Sequence, residues 1–180
     1  YHGSTHGSLS VSGNEKKKYA FRPLLPGVKF IRFNKLEDLS AITQNTAAVI
    51  TETVQGDAGV RIPDLCYMQA LRKRCDETGT LLIIDEIQTG FYRTGTAFAF
   101  EKYGIVPDIL TMGKAIAGGL PMGCLAASRA LMRLFTHNPM LGHITTFGGN
   151  PLICAAAHAN IKALRSEVSP KEIERKGALL

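Results

Sequence analysis

Apolar and polar positions switch along this chain between short apolar runs and longer stretches with helical spacing. GVKFIRF (27–33) is β-branched and aromatic, which predicts a strand. Asn34 then stands where it can cap a helix through LEDLSAIT, and AAVIT (47–51) predicts a short buried strand. Pro63 and Asp64 open a helix over DLCYMQALRKRCDET, which Gly79 ends. LLIID (81–85) is apolar up to its closing Asp85, as a strand buried on both faces of a parallel sheet is expected to be. PDILTMG (107–113) and GCLAAS (123–128) continue the alternation, and a helix is expected from about Pro151 to Leu164.

Strands and helices alternating over short connections predict an α/β three-layer fold with a mostly parallel sheet. No internal repeat, low-complexity segment or linker interrupts the pattern, so one domain is expected. Ligands in such folds sit beyond the carboxyl ends of the strands. That rule singles out Glu52, Asp85 to Gln88, and Gly113-Lys114.

Composition narrows the class. The 180 residues are 45% hydrophobic and 20% charged, enough for one sizeable core. No apolar run approaches the ~18 residues a membrane span needs, and no secretion signature opens the chain. The net charge is +6, but its one run, Lys16-Lys17-Lys18 beside Glu15, reads as a solvated loop rather than a nucleic-acid surface. Cys66, Cys75, Cys124 and Cys154 form no CxxC, and helical spacing puts Cys66 and Cys75 on opposite faces. Reduced thiols of a cytoplasmic protein are expected. His2 and His6 have the spacing of a zinc pair, but Gly3 stands where HExxH needs glutamate, so no metal is expected. The opening Tyr1-His2-Gly3 suggests a piece of a longer enzyme.

At the strand ends, the Asp85 carboxylate can face one ring atom of a ligand, and the Gln88 amide can reach a neighbouring atom. Lys114 lies among small residues in TMGKAIAGGLP, where the backbone can approach a ligand closely. On spacing alone it is a surface charge, a salt-bridge partner of Asp85, or a catalytic amine. Three motifs, LLIIDEIQTGFYRTG, PDILTMGKAIAGGLPMG and GHITTFGGNP, occur in an order and at separations that resemble the class III pyridoxal-phosphate (PLP) aminotransferases. The resemblance extends from YHGSTHGSLS to about Leu164.

The resemblance implies the large domain of a fold-type I PLP-dependent transferase over residues 1–180, with an N-terminal part and a C-terminal small domain lying outside. It implies that Lys114 forms the Schiff base with PLP, Asp85 pairs with the ring nitrogen, and Gln88 bonds the phenolic oxygen. Ile87 would cover one ring face and Tyr1 the other. Thr146, next to its rival Thr145, would bind the phosphate of a partner subunit's cofactor in a homodimer with shared sites. Glu52 would lie near the ring, and Asp57 stands where many members have a glutamate that gates a substrate arginine. Each has a plainer alternative: core packing for Tyr1 and Ile87, bracing a loop for Glu52.

The implied activity is transfer of an amino group from an ornithine- or acylornithine-type donor to a 2-oxo acid such as 2-oxoglutarate. A same-family aminomutase or decarboxylase, or an inactive truncated relative, are the neighbouring readings. Two departures stand out: Thr53 where the family usually has proline, and Tyr92 where it usually has glycine. The family's phosphate-binding turn and substrate-carboxylate arginine have no counterpart in this sequence. LLIIDE also fits the Walker B strand of an ATPase, but no GxxxxGK[ST] loop accompanies it.

Overall fold

The computed structural model describes residues 1–179, which form two compact units, Tyr1–Asp85 and the chain from Glu86 onward. The first unit opens with two short helices, α1 (His6–Val11) and α2 (Glu15–Lys18). Strand β1 (Ala48–Glu52), helix α3 (Leu65–Thr78) and strand β2 (Leu81–Asp85) then make a βαβ unit. The two strands are parallel, in a register that runs from Ala48 opposite Leu81 to Glu52 opposite Asp85. Helix α3 buries Tyr67, Met68, Leu71 and Cys75, one helical face, while Cys66 is exposed on another. With Leu39, Ile42, Leu82 and Ile84 these form the core of the unit. Each fully buried large aliphatic stabilises by about 1.5–3 kcal/mol. The helix ends at Gly79 in the left-handed region (φ 70°), as the sequence predicts.

Two expectations for this unit fail, for related reasons. Residues 28–32 have no regular secondary structure, between a bend at Gly27 and a turn at Phe33, and join no strand pairing among the described residues. Part of their bonding goes to side chains instead. The Arg32 amide and its Nε both donate to Asp38 Oδ2, at 2.8 and 3.0 Å, and the guanidinium holds the Asp38 carboxyl down at about 2. The ammonium of Lys18 lies 4.2 Å from the centre of the Phe30 ring. Asn34 does not cap a helix either. It sits at φ 62° and clasps Asp64, accepting from the Asp64 amide (2.9 Å) and donating to Oδ2 (3.1 Å). Residues Leu36–Ala41 consequently wind as a 3-10 turn. A cleft of about 1160 Å³ is lined by residues 27–33, by 47–52, and by Tyr1 and His2.

In the second unit, strands β3 (Ile109–Met112) and β4 (Cys124–Ala127) are antiparallel. The alternation predicted a further parallel strand here. Residues 113–123 are too few for a parallel crossover, which takes about a dozen residues or more and usually a helix. Helices α4 (Arg129–Arg133), α5 (Pro151–Glu167) and α6 (Pro170–Gly177) follow. Asn150 caps α5 by accepting from the amides of Leu152 and Ile153, and Pro151 takes the first helical position. Met112, Ile116, Ala117 and Ala157 form the core here, with Leu110, Met122, Ile153 and Ile161 packed against them. Burial pushes the thiol of Cys124 up, aided by Cys154, so it stays a neutral thiol. The α/β class holds in both units. Among the described residues no helix is long and apolar enough to cross a membrane.

Phe91 and Tyr92 occupy the left-handed region in succession, at φ 59° and 67°. Both amides donate to Ala97 O, at 2.7 and 3.3 Å, which closes the loop. A left-handed residue with a Cβ costs roughly 1–2 kcal/mol, and glycine escapes most of that. Tyr92→Gly in the full-length protein is therefore expected to stabilise by about 0.5–1 kcal/mol, raising the melting temperature by about 2–4 °C. A lower melting temperature would mean that packing of the Tyr92 ring outweighs the strain.

Candidate active site

The parallel register of the first unit sets two carboxylates side by side at the carboxyl ends of β1 and β2. Glu52 and Asp85 are register partners, and their side chains are only 8% and 6% exposed. Charges so desolvated need partners, and each has one from the start of the chain. The Tyr1 nitrogen donates to Glu52 Oε2 at 2.9 Å. His2 Nδ1 lies 2.8 Å from Asp85 Oδ2, and the His2 ring is 10% exposed. With Asp85 ionised, Nδ1 is the donor, and that fixes the tautomer of the ring. The His2 backbone is tied down as well, its amide donating to Ser12 Oγ at 3.0 Å.

Sequence reasoning considered His2 only as a zinc ligand beside His6. Its position after Tyr1 carries no motif that announces a bond to Asp85. The Tyr1 ring is half-exposed, with the Lys17 ammonium 4.8 Å from its centre. The same ammonium pairs with Asp57 Oδ2 at 3.0 Å in an exposed contact. Asp57 thus already holds a lysine.

The second unit carries the other candidates. Glu86, fully buried, anchors the turn after β2: its Oε1 accepts from the Phe100 amide at 2.8 Å, and Thr89 Oγ1 donates to Oε2. The Glu86 amide donates to Thr111 O in β3 at 2.9 Å. This anchoring leaves Ile87 half-buried and the Gln88 side chain exposed. A Cβ on Gly113 would lie 3.3 Å from Ile87 Cγ2, so the backbone before Lys114 approaches Ile87 as closely as a glycine allows. Lys114 itself is exposed and has a φ of 44°, left-handed for a residue with a full side chain. Strain of this sort persists only where the surroundings over-determine it, and it concentrates at functional positions.

Thr145 and Thr146 part company. The Thr145 side chain fills the space where a Cβ on Gly148 would fall, inside a turn closed by the Gly148 amide on Thr145 O at 3.3 Å. Thr146 stands exposed among exposed Ile144, Phe147, Met140 and Leu141.

PLP is an aldehyde with a basic ring nitrogen and a planar apolar face, and each unit, taken by itself, carries side chains of kinds it would use. An exposed amine stands on a strained turn, and an apolar side chain packs against the glycine that precedes it. A buried carboxylate is already oriented by an imidazole, and a phosphate-capable hydroxyl is exposed. Among the described residues no group of three His, Cys, Asp or Glu is placed to hold a metal ion.

The family model described as aminotransferase class-III matches residues 1–180. The chain is 45% identical over 177 residues to a [LysW]-aminoadipate semialdehyde/glutamate semialdehyde transaminase of Sulfolobus acidocaldarius, covering 98% of this chain and 45% of the relative. It is 41% identical over 178 residues to an acetylornithine aminotransferase of Methanocaldococcus jannaschii, covering 98% and 44%. Among solved structures, an ornithine aminotransferase from Toxoplasma gondii superimposes with a TM-score of 0.91 at 34% identity, over 99% of this chain and 42% of its own. A PLP-bound amine transaminase from an uncultivated Pseudomonas species gives 0.83 at 32% identity, over 93% and 44%. The chain thus spans under half the length of these relatives.

Proposed function

The chain belongs to the class III aminotransferases, a PLP-dependent family, and from that membership we propose that it forms the cofactor-holding part of an enzyme that moves an amino group from an ornithine- or acylornithine-type donor to a 2-oxo acid such as 2-oxoglutarate. The observation that carries the assignment is Lys114: an exposed amine on a left-handed residue, directly after β3 and beside a glycine pressed against Ile87. When bound, PLP supplies an electron sink for the carbon that bears the amino group.

The chain's own residues do the rest. Lys114 would hold the cofactor covalently and, as a free amine, would move a proton. Asp85 would supply a carboxylate to the ring nitrogen, and the Nδ1–H of His2 holds that carboxylate in place. Ile87 would offer the ring an apolar contact that excludes water without competing for protons. Gln88 would bond the phenolic oxygen, Tyr1 would offer an aromatic face, and Glu52 would lie near the ring. Thr146 would bond the phosphate of a cofactor held by a second copy. The exposed apolar residues around it support a homodimer with shared sites. The free cysteines support a cytoplasmic setting.

The relatives named as acetylornithine and ornithine aminotransferases support the donor class. The test loads the full-length protein with PLP and 2-oxoglutarate and compares N-acetylornithine, ornithine and 4-aminobutyrate by glutamate formed. One of the first two should exceed 4-aminobutyrate by about tenfold or more in kcat/KM. Carbon dioxide release without glutamate would replace transfer by decarboxylation, and preference for 4-aminobutyrate would overturn the donor class.

A further inference from the structure

The left-handed backbone at Lys114 needs something to hold it, and the holder lies on α5. Asn160 Nδ2 donates to Ala115 O at 2.7 Å and to Ile116 O at 3.1 Å, the two carbonyls that follow the lysine. We propose that Asn160 is a positioning residue for Lys114, its amide fixing the turn that aims the lysine amine. The proposal rests on the reading of Lys114 as the cofactor lysine and adds to it the residue that sets its geometry.

Residues Lys114–Ala117 make a single 3-10 turn, closed by the Ile116 amide on Gly113 O at 3.1 Å and the Gly118 amide on Ala115 O at 3.2 Å. Carbonyls at the end of so short a helix have few partners in the chain itself. Ile116 and Ala117 are buried, so unsatisfied carbonyls beside them would be costly. The face of α5 that packs on this core is otherwise apolar, Ile153, Ala157 and Ile161. Asn160 is the amide in that neighbourhood, and both of its bonds go to the turn.

Gly118 completes the arrangement. It sits at φ 60°, and a Cβ there would fall 3.3 Å from both Cγ and Oδ1 of Asn160. The residue after the turn therefore has no side chain where the amide needs room. A donor bridging consecutive carbonyls fixes the peptide plane between Ala115 and Ile116. If that plane rotates, the backbone at Lys114 is free to relax, and the lysine stem carries the change out to Nζ. Packing of α5 alone would need only an apolar residue of similar size, so a donor at position 160 points to control of the carbonyls.

The experiment uses the full-length enzyme, Asn160→Asp and Asn160→Ala, and PLP as the probe. Asn160→Asp keeps the shape but presents an ionised acceptor to two acceptors. The readouts are the rate at which apo-enzyme captures PLP as borohydride-stable label on Lys114, the pH midpoint of the visible absorbance, and the melting temperature. Both variants should capture PLP about tenfold or more slowly, with a displaced midpoint, at temperatures where they remain folded. Unchanged capture and midpoint in a folded variant, even one that melts earlier, would overturn the proposal and leave Asn160 a packing residue. Should both variants fail to fold, Gly118→Ala, which crowds the amide from the other side, decides by the same two readouts. Label on another lysine in the unmodified enzyme would overturn the cofactor assignment together with this one, whereas label on Lys114 that the variants do not slow overturns this one alone.

Discussion

Lys114→Ala in the full-length enzyme should abolish measurable amino transfer while leaving the fold intact. On the proposed reading, the substitution removes the nucleophile that holds PLP and the base that moves the proton. Loss of the proton-transfer role alone costs about 10²–10⁴ in rate, and loss of covalent attachment adds to it. Alanine also relaxes nothing in the core, because the side chain is exposed and only the backbone is engaged in the turn. Borohydride treatment of the unmodified enzyme should place the pyridoxyl group on Lys114 by peptide mapping. Label on Lys102, which donates to Thr94 O, or on Lys73, which pairs with Glu77, would overturn the assignment. The shared-site reading predicts one further result. A Lys114→Ala subunit mixed with a subunit whose Thr146 and neighbouring phosphate contacts are removed should regain part of the activity, since one site of the hybrid has both groups. No recovery despite demonstrated subunit exchange would mean that each site is built from one chain.

Asp85→Asn should be the second most damaging change, and its effect should fall on chemistry rather than on binding. Asparagine keeps the size of the side chain and can still accept from His2 Nδ1 across the observed 2.8 Å. The negative charge is lost and with it, on the proposed reading, the preference for a protonated ring. Each pKa unit withdrawn from the ring nitrogen is about 1.4 kcal/mol, so a shift of a few units lowers the half-reaction by orders of magnitude. Single-turnover absorbance changes with the amino donor measure this directly. PLP retained at near-normal affinity with a half-reaction slowed by about a hundredfold or more is the expected result. An unimpaired half-reaction would remove Asp85 from the mechanism.

Much of this was legible in the sequence because the strongest signals were local. LLIID forms β2 as predicted, and the 63–79 segment forms its helix, since an apolar run or face with matching end residues leaves few alternatives. The class III resemblance held for the same reason: its motifs are contiguous, two of them at strand ends and the third leading into α5. What the sequence hid was what depends on distant partners. GVKFIRF has the composition of a strand, but a strand exists only by pairing, and its Arg32 amide is engaged by Asp38. The sense of β4 depends on the length of the preceding connection rather than on its residues. His2 and Asn160 escaped notice because their partners, at Asp85 and at residues 115–116, are dozens of positions away and share no spacing rule with them.

The cleft of the first unit has a consequence for handling the polypeptide. The side of β1 turned away from β2 carries no paired strand among the described residues, and residues 27–33, with Val28 and Phe30 exposed, line the same cleft. Open backbone edges of this kind are templates for intermolecular pairing. Lys29 and Lys35 also line the cleft and act as gatekeepers, because a second copy entering would bring the same positive charge with it. The isolated 180-residue polypeptide should accordingly stay dispersed in dilute buffer and form β-rich aggregates as salt screens those charges, at ionic strengths where a chain with this edge covered stays clear.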